Sequence, residues 1–119
     1  MIDFKKYYTE EEVVKLLQDM VAIPSHVDCG YYETKMADFV FDYCTKLGFE
    51  CEREYVDGDR NNVYARLKGT GGGPTLLFNG HMDTVAPFNM VVDPYAGEIK
   101  GEPLWKTKKF CKKKRKPRS

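Results

Sequence analysis

Apolar residues at helical intervals open the chain. Val13, Leu16, Leu17, Met20 and Val21 recur three or four positions apart, the spacing that lines up side chains on one face of an α-helix. Thr9 followed three residues later by Glu12 has the spacing of a capping box, so a helix is predicted from Glu10 to Val21. Pro24 prevents its continuation. A second stripe, Met36, Phe39, Val40, Tyr43 and Leu47, predicts a helix from near Tyr31 to about Leu47, with Gly48 as its stop.

The period then drops to two. Phe49, Cys51, Arg53 and Tyr55 alternate with Glu50, Glu52 and Glu54, which predicts a strand with one solvated face, at a sheet edge. Asp57 and Asp59 flank Gly58 and read as turn residues. Val63 to Leu67 and Thr75 to Asn79 are predicted to pair as a hairpin across Lys68 to Pro74, with the apolar run Thr75-Leu76-Leu77-Phe78 as a buried strand. The glycines from Gly69 to Gly73 lack a Gly-Lys-Ser/Thr ending and precede a proline and a strand, so they read as a connection and not as a phosphate cradle. Two helices followed by three strands indicate the α/β class.

The candidate chemistry follows the apolar run, in Gly80-His81-Met82-Asp83-Thr84-Val85. Gly80 lets the backbone turn at the end of the strand. On extended backbone, His81 and Asp83 share a face, so the carboxylate can hold one imidazole nitrogen while the other binds a metal. A surface histidine bonded to a neighbouring aspartate produces the same triplet. His26, after Pro24-Ser25, reads as structural or surface.

The surroundings of the triplet carry more. Asn61-Asn62-Val63-Tyr64-Ala65-Arg66-Leu67, the glycine-rich loop and the segment from Thr75 to Pro87 resemble the zinc-dependent deacylase and peptidase family that includes acetylornithine deacetylase, succinyl-diaminopimelate desuccinylase and glutamate carboxypeptidase. Leu16-Leu17 to Ile23-Pro24-Ser25 resembles that family's first helix and its exit. Val92-Asp93-Pro94-Tyr95 to Ile99 resembles its Asp-Pro-Phe-like segment. The resemblance covers residues 10 to 100. It implies part of a mixed-sheet zinc-hydrolase catalytic domain acting on amide bonds of N-acyl amino acids or short peptides, with two zinc ions in the intact family. His81 is then a metal ligand, and Asp83 the catalytic-site carboxylate that orients or tunes it. The family's next motifs, a Gly-Arg-Gly segment, a bridging aspartate and a Glu-Glu pair, do not follow Asp83 in these 119 residues. The chain therefore looks like a truncated, N-terminal fragment, and tight zinc binding or hydrolysis by it alone is not expected.

Charge divides the chain. Residues 106–119 hold nine of its nineteen basic residues and none of its eighteen acidic ones. This leaves residues 1–105 at −8. A partial catalytic domain over 1–100 and a basic, disordered tail over 101–119 follow from this division. The tail could bind nucleic acid or anionic lipid, serve as a nuclear address, or be a self-repelling end. A shifted reading frame or a mis-predicted exon boundary would produce the same sequence. Cys29, Cys44, Cys51 and Cys111 lack Cys-X-X-Cys spacing and read as free thiols. The first residues lack the apolar core of a signal peptide, and no stretch reaches the length of a membrane span; a cytoplasmic chain is the expectation.

Overall fold

The computed structural model describes residues 1–99 and Gly101. Residues 102–119, with most of the basic tail and Cys111, lie outside the described residues, as do the readings placed on them.

Helix α1 runs Glu10–Val21, as the pattern predicts. Its capping box is complete: the Thr9 amide donates to Glu12 Oε2 at 2.7 Å and the Glu12 amide to Thr9 Oγ1 at 3.2 Å. Two amides that the first turn cannot satisfy internally are thereby paired. Helix α2 runs Thr34–Lys46, starting three residues after Tyr31. The delay has a backbone cause. Gly30 and Tyr32 both sit at positive φ, +90° and +51°, which a right-handed helix does not accommodate. At its other end, the Gly48 amide donates to the Thr45 carbonyl and the Phe49 amide to the Cys44 carbonyl, at 3.0 and 3.1 Å. With Gly48 at φ +89° this is a Schellman stop, which turns the chain directly into the sheet.

Strand β1, Glu50–Asp57, pairs antiparallel with β2, Arg60–Arg66, with Glu50 opposite Arg66 and Arg53 opposite Val63. Gly58 and Asp59 form the two-residue connection, with Gly58 at φ +56°, a conformation that costs glycine nothing. Helix α2 packs on both strands. Cys51 and Arg53 face it while the intervening glutamates are exposed, as the alternation predicts. Tyr55 departs from the pattern and is exposed. Arg53 ties the layers together: its guanidinium donates to Asp38 Oδ1 at 2.8 Å and lies 4.3 Å from the Phe41 ring centre. Met36 and Ala37 are the buried hydrophobic residues among those described.

The expected hairpin between Val63–Leu67 and Thr75–Asn79 does not form, and two strands are present among the described residues instead of three. Residues 63–66 pair with β1 instead. The two-residue Gly58–Asp59 turn joins two runs already adjacent in sequence, whereas pairing across Lys68–Pro74 closes a longer loop that ends on a residue with no amide donor. The glycines from Gly69 to Gly73 are therefore not a hairpin connection. Thr75–Phe78 is not a buried strand either: Leu77 is 82% and Phe78 87% exposed.

Beyond that run the chain returns to α1. The Thr84 amide donates to the Ser25 carbonyl at 3.2 Å, and Gln18 Nε2 donates to the Gly97 carbonyl at 2.9 Å. Gly97, at φ +60°, allows the approach, since an added Cβ would lie 3.3 Å from Gln18 Cγ. No described helix is long and apolar enough to cross a membrane.

Candidate metal-ligand site at His81

Ser25 holds the segment that carries His81 and Asp83. This serine is 1% exposed, directly after the proline that ends the α1 region. Its carbonyl takes the Thr84 amide, and its hydroxyl lies 3.5 Å from Thr84 Oγ1. The backbone bond falls on the residue after Asp83, so it fixes where the His-X-Asp turn leaves the body of the fold.

Within the turn, His81 Nδ1 lies 3.0 Å from Asp83 Oδ1 and 2.9 Å from the Asp83 carbonyl oxygen. A backbone carbonyl can only accept, so Nδ1 carries the proton and donates to both oxygens. The Nε2 lone pair of the neutral ring is then directed away from Asp83. A histidine ligand needs this arrangement: one nitrogen held by an oxygen acceptor, the other unprotonated and free to coordinate. The sequence-predicted residues are thus adjacent and bonded. Both are exposed.

The turn stands between two cavities. One, about 380 Å³, has a mixed lining and is bordered by Glu33, Val56, Asp57, Arg60, His81 and Met82, with Asp83 beside them. The other, about 410 Å³, lies against α1, where Leu17, Met20, Met36 and Val85 face His26 and Tyr95. His26 lines this second cavity and is half-buried, its Nε2 2.9 Å from the Tyr95 hydroxyl. Its Nδ1 is buried without a partner among the described residues. It thus links Tyr95, from the Asp-Pro-Tyr segment, to the exit of α1. Asp57 and Asp59 sit at the β1–β2 turn.

The sequence reading passed over Arg60 and Glu33. Arg60 Nε donates to Glu33 Oε1 at 2.8 Å, and the guanidinium lies 4.7 Å from the Tyr32 ring centre. The Glu33 carboxylate holds the Arg60 guanidinium above its ordinary pKa, through the hydrogen bond first and its charge second. The pairing joins the start of β2 to the turn before α2, a long-range contact that neither periodicity nor spacing signals.

The donor set limits what this site does alone. No group of three or more histidine, cysteine, aspartate or glutamate residues that could hold a metal occurs among the described residues. A catalytic zinc takes three protein ligands and an open position. His81 fits the part of one ligand and Asp83 that of its orienting partner. The described residues do not fit a complete zinc centre, and no catalytic step is derived through one.

Comparison with known proteins finds relatives named as carboxypeptidases and a deformylase. No family model matches the chain, and no solved structure does. Curated relatives do. The chain is 35% identical to a probable carboxypeptidase of Aspergillus clavatus over 71 residues, covering 60% of this chain and 16% of that protein. It is 31% identical to a probable carboxypeptidase of Arthroderma gypseum over 94 residues, covering 70% of this chain and 20% of the relative. It is also 33% identical over 79 residues to the N-formyl-4-amino-5-aminomethyl-2-methylpyrimidine deformylase of Halalkalibacterium halodurans, covering 65% of this chain and 18% of the relative. The chain spans between 16% and 20% of the length of these relatives. Its similarity is to peptidases and amide hydrolases.

Proposed function

We propose that this chain carries the first zinc ligand of a metal-dependent amide hydrolase acting on N-acyl amino acids or short peptides. His81 is that ligand through Nε2, and Asp83 is the carboxylate that orients it. The observation that supports the reading most is the Nδ1 proton shared between two oxygens of Asp83, which leaves Nε2 as the coordinating atom. The relatives named carboxypeptidase and deformylase support the reaction class. Zinc in such a site supplies a water of lowered pKa and a centre that polarises the carbonyl. The chain's own contribution is to hold the imidazole tautomer and to seat the turn on Ser25. With one ligand and its partner, the 119-residue chain hydrolyses nothing measurable by itself, and its place is the cytoplasm.

A zinc titration of the whole chain, followed through the ring nitrogens of His81 by NMR, tests the ligand assignment. Zinc should shift the Nε2 resonance, weakly and reversibly, and His81→Ala should remove that site while leaving any binding by the cysteines. A shift at Nδ1 instead, or none at either nitrogen, would refute it. Zinc-dependent release of acetate from N-acetylmethionine by the purified chain would refute its inactivity alone.

A further inference from the structure

Arg60 is placed as a recognition group. Its Nε is taken by Glu33 and its plane lies near Tyr32, so the guanidinium is held at one edge and supported at one face. The two outer nitrogens make no hydrogen bond among the described residues. The side chain remains 41% exposed and borders the same cavity as His81 and Asp83. A guanidinium fixed in this way presents a planar pair of donors, the geometry that matches the two oxygens of a carboxylate. A lysine at this position would offer a point charge on a flexible stem.

We propose that the cavity between the β1–β2 turn and His81 receives a carboxylate on the outer nitrogens of Arg60, so that the ligand is an N-acyl amino acid or peptide with its terminal carboxylate free. The proposal rests on the hydrolase reading for its substrate class but not for its binding geometry. Glu33 and Asp57 lie on the same cavity and oppose an incoming anion, which makes recognition depend on the directed donors more than on net charge. Glu33 has its own role here. By occupying Nε it leaves the opposite edge as the one available to a ligand.

The test compares two probes of nearly equal shape, N-acetylglycine and N-acetylglycinamide, titrated into the full chain and followed by NMR at the Arg60 side chain and the Asn61 and Asn62 amides. The acid should bind about two- to fivefold more tightly than the amide, the range for charge-assisted bonds at an exposed site. Arg60→Lys, which keeps the charge beside Glu33, should lose most of that preference, and Arg60→Met all of it. Equal shifts from the two probes would overturn the proposal. So would an acid preference confined to the lysines and arginines of residues 106–119, or one that survives Arg60→Met. The wild-type comparison stands even where a variant fails to fold. His81→Ala should remove zinc binding at that ring and leave the acid–amide difference intact, so this proposal and the hydrolase reading can fail separately.

Discussion

Replacing Asp83 by alanine separates two contributions that converge on one proton. In the folded chain the His81 Nδ1–H is shared between the Asp83 carboxylate, at 3.0 Å, and the Asp83 backbone carbonyl, at 2.9 Å. Asp83→Ala removes the first and keeps the second. A charge-assisted hydrogen bond in a protected site contributes about 1.5–3 kcal/mol. Here the two side chains are 84% and 62% exposed, so water and salt reduce the pair to the range of exposed ion pairs, about 0.2–1 kcal/mol. At 1.4 kcal/mol per factor of ten, the upper end is about fivefold in zinc affinity. That is less than the roughly 10- to 100-fold typical when the carboxylate behind a ligating histidine is removed, because the carbonyl still selects the tautomer. Long-range proton–nitrogen spectra of the His81 ring, recorded with a zinc titration at low and high salt, measure both quantities. The ring should keep its proton on Nδ1 in the variant, and the wild-type advantage should shrink with salt. A hundredfold loss would mean that the carboxylate is itself a ligand. A wild-type ring protonated at Nε2 would refute the tautomer argument outright.

Two further outcomes follow from bonds outside the site. On the open face of the hairpin, the Tyr64 hydroxyl donates to Glu54 Oε2 at 2.6 Å, with Asn62 behind it; the Tyr64 bond, and then that from Asn62, lower the Glu54 pKa, while Glu54 raises that of Tyr64. The lowered carboxylate stabilises the fold above its ordinary value of 4.5 and loses that contribution as pH falls through the folded pKa. The raised phenol stabilises it below 10.0 and loses that as pH rises through its folded pKa. Tyr64→Phe should therefore flatten both limbs of the chemical-denaturation midpoint against pH, and unchanged limbs would exclude the pairing. Gly97→Ala should cost about 1–2 kcal/mol through its left-handed backbone, with added crowding against Gln18. Its readout is faster amide exchange from Thr84 to Gly97 while the β1 and β2 amides stay protected; uniform loosening of all of them would contradict the local account.

Where contacts are local, the sequence was enough. The α1 boundaries followed from a capping box and a five-residue stripe, and the inward face of β1 from simple alternation. The His81–Asp83 bond joins residues two apart, so spacing alone could anticipate it. The strand pairing went wrong because an apolar run shows that a segment can be buried, not what buries it. Leu76, Leu77 and Phe78 have the composition of a central strand, yet no described strand lies beside them. The overlooked signal was Asp57-Gly58-Asp59, read as a turn but not as the turn of a hairpin. Glu33 with Arg60 and His26 with Tyr95 stand 27 and 69 residues apart, and no periodicity encodes such pairs.

The bonds that hold the candidate site also determine when it is assembled. The hairpin and the α2 stop close over short stretches of chain, whereas the bonds from Ser25 to Thr84, His26 to Tyr95 and Gln18 to Gly97 span 59, 69 and 79 residues. Closing loops of that size must precede any gain from the contacts they permit, which slows their formation relative to the hairpin. The imidazole thus reaches its place late, on a scaffold of α2, β1 and β2 already formed. In pulse-labelling during refolding, the β1 and β2 amides should become protected before that of Thr84. On the proposed metal-ligand reading, the His81 segment, tied to the rest of the fold by these few long-range bonds, is the part left to adjust to whatever completes the coordination shell.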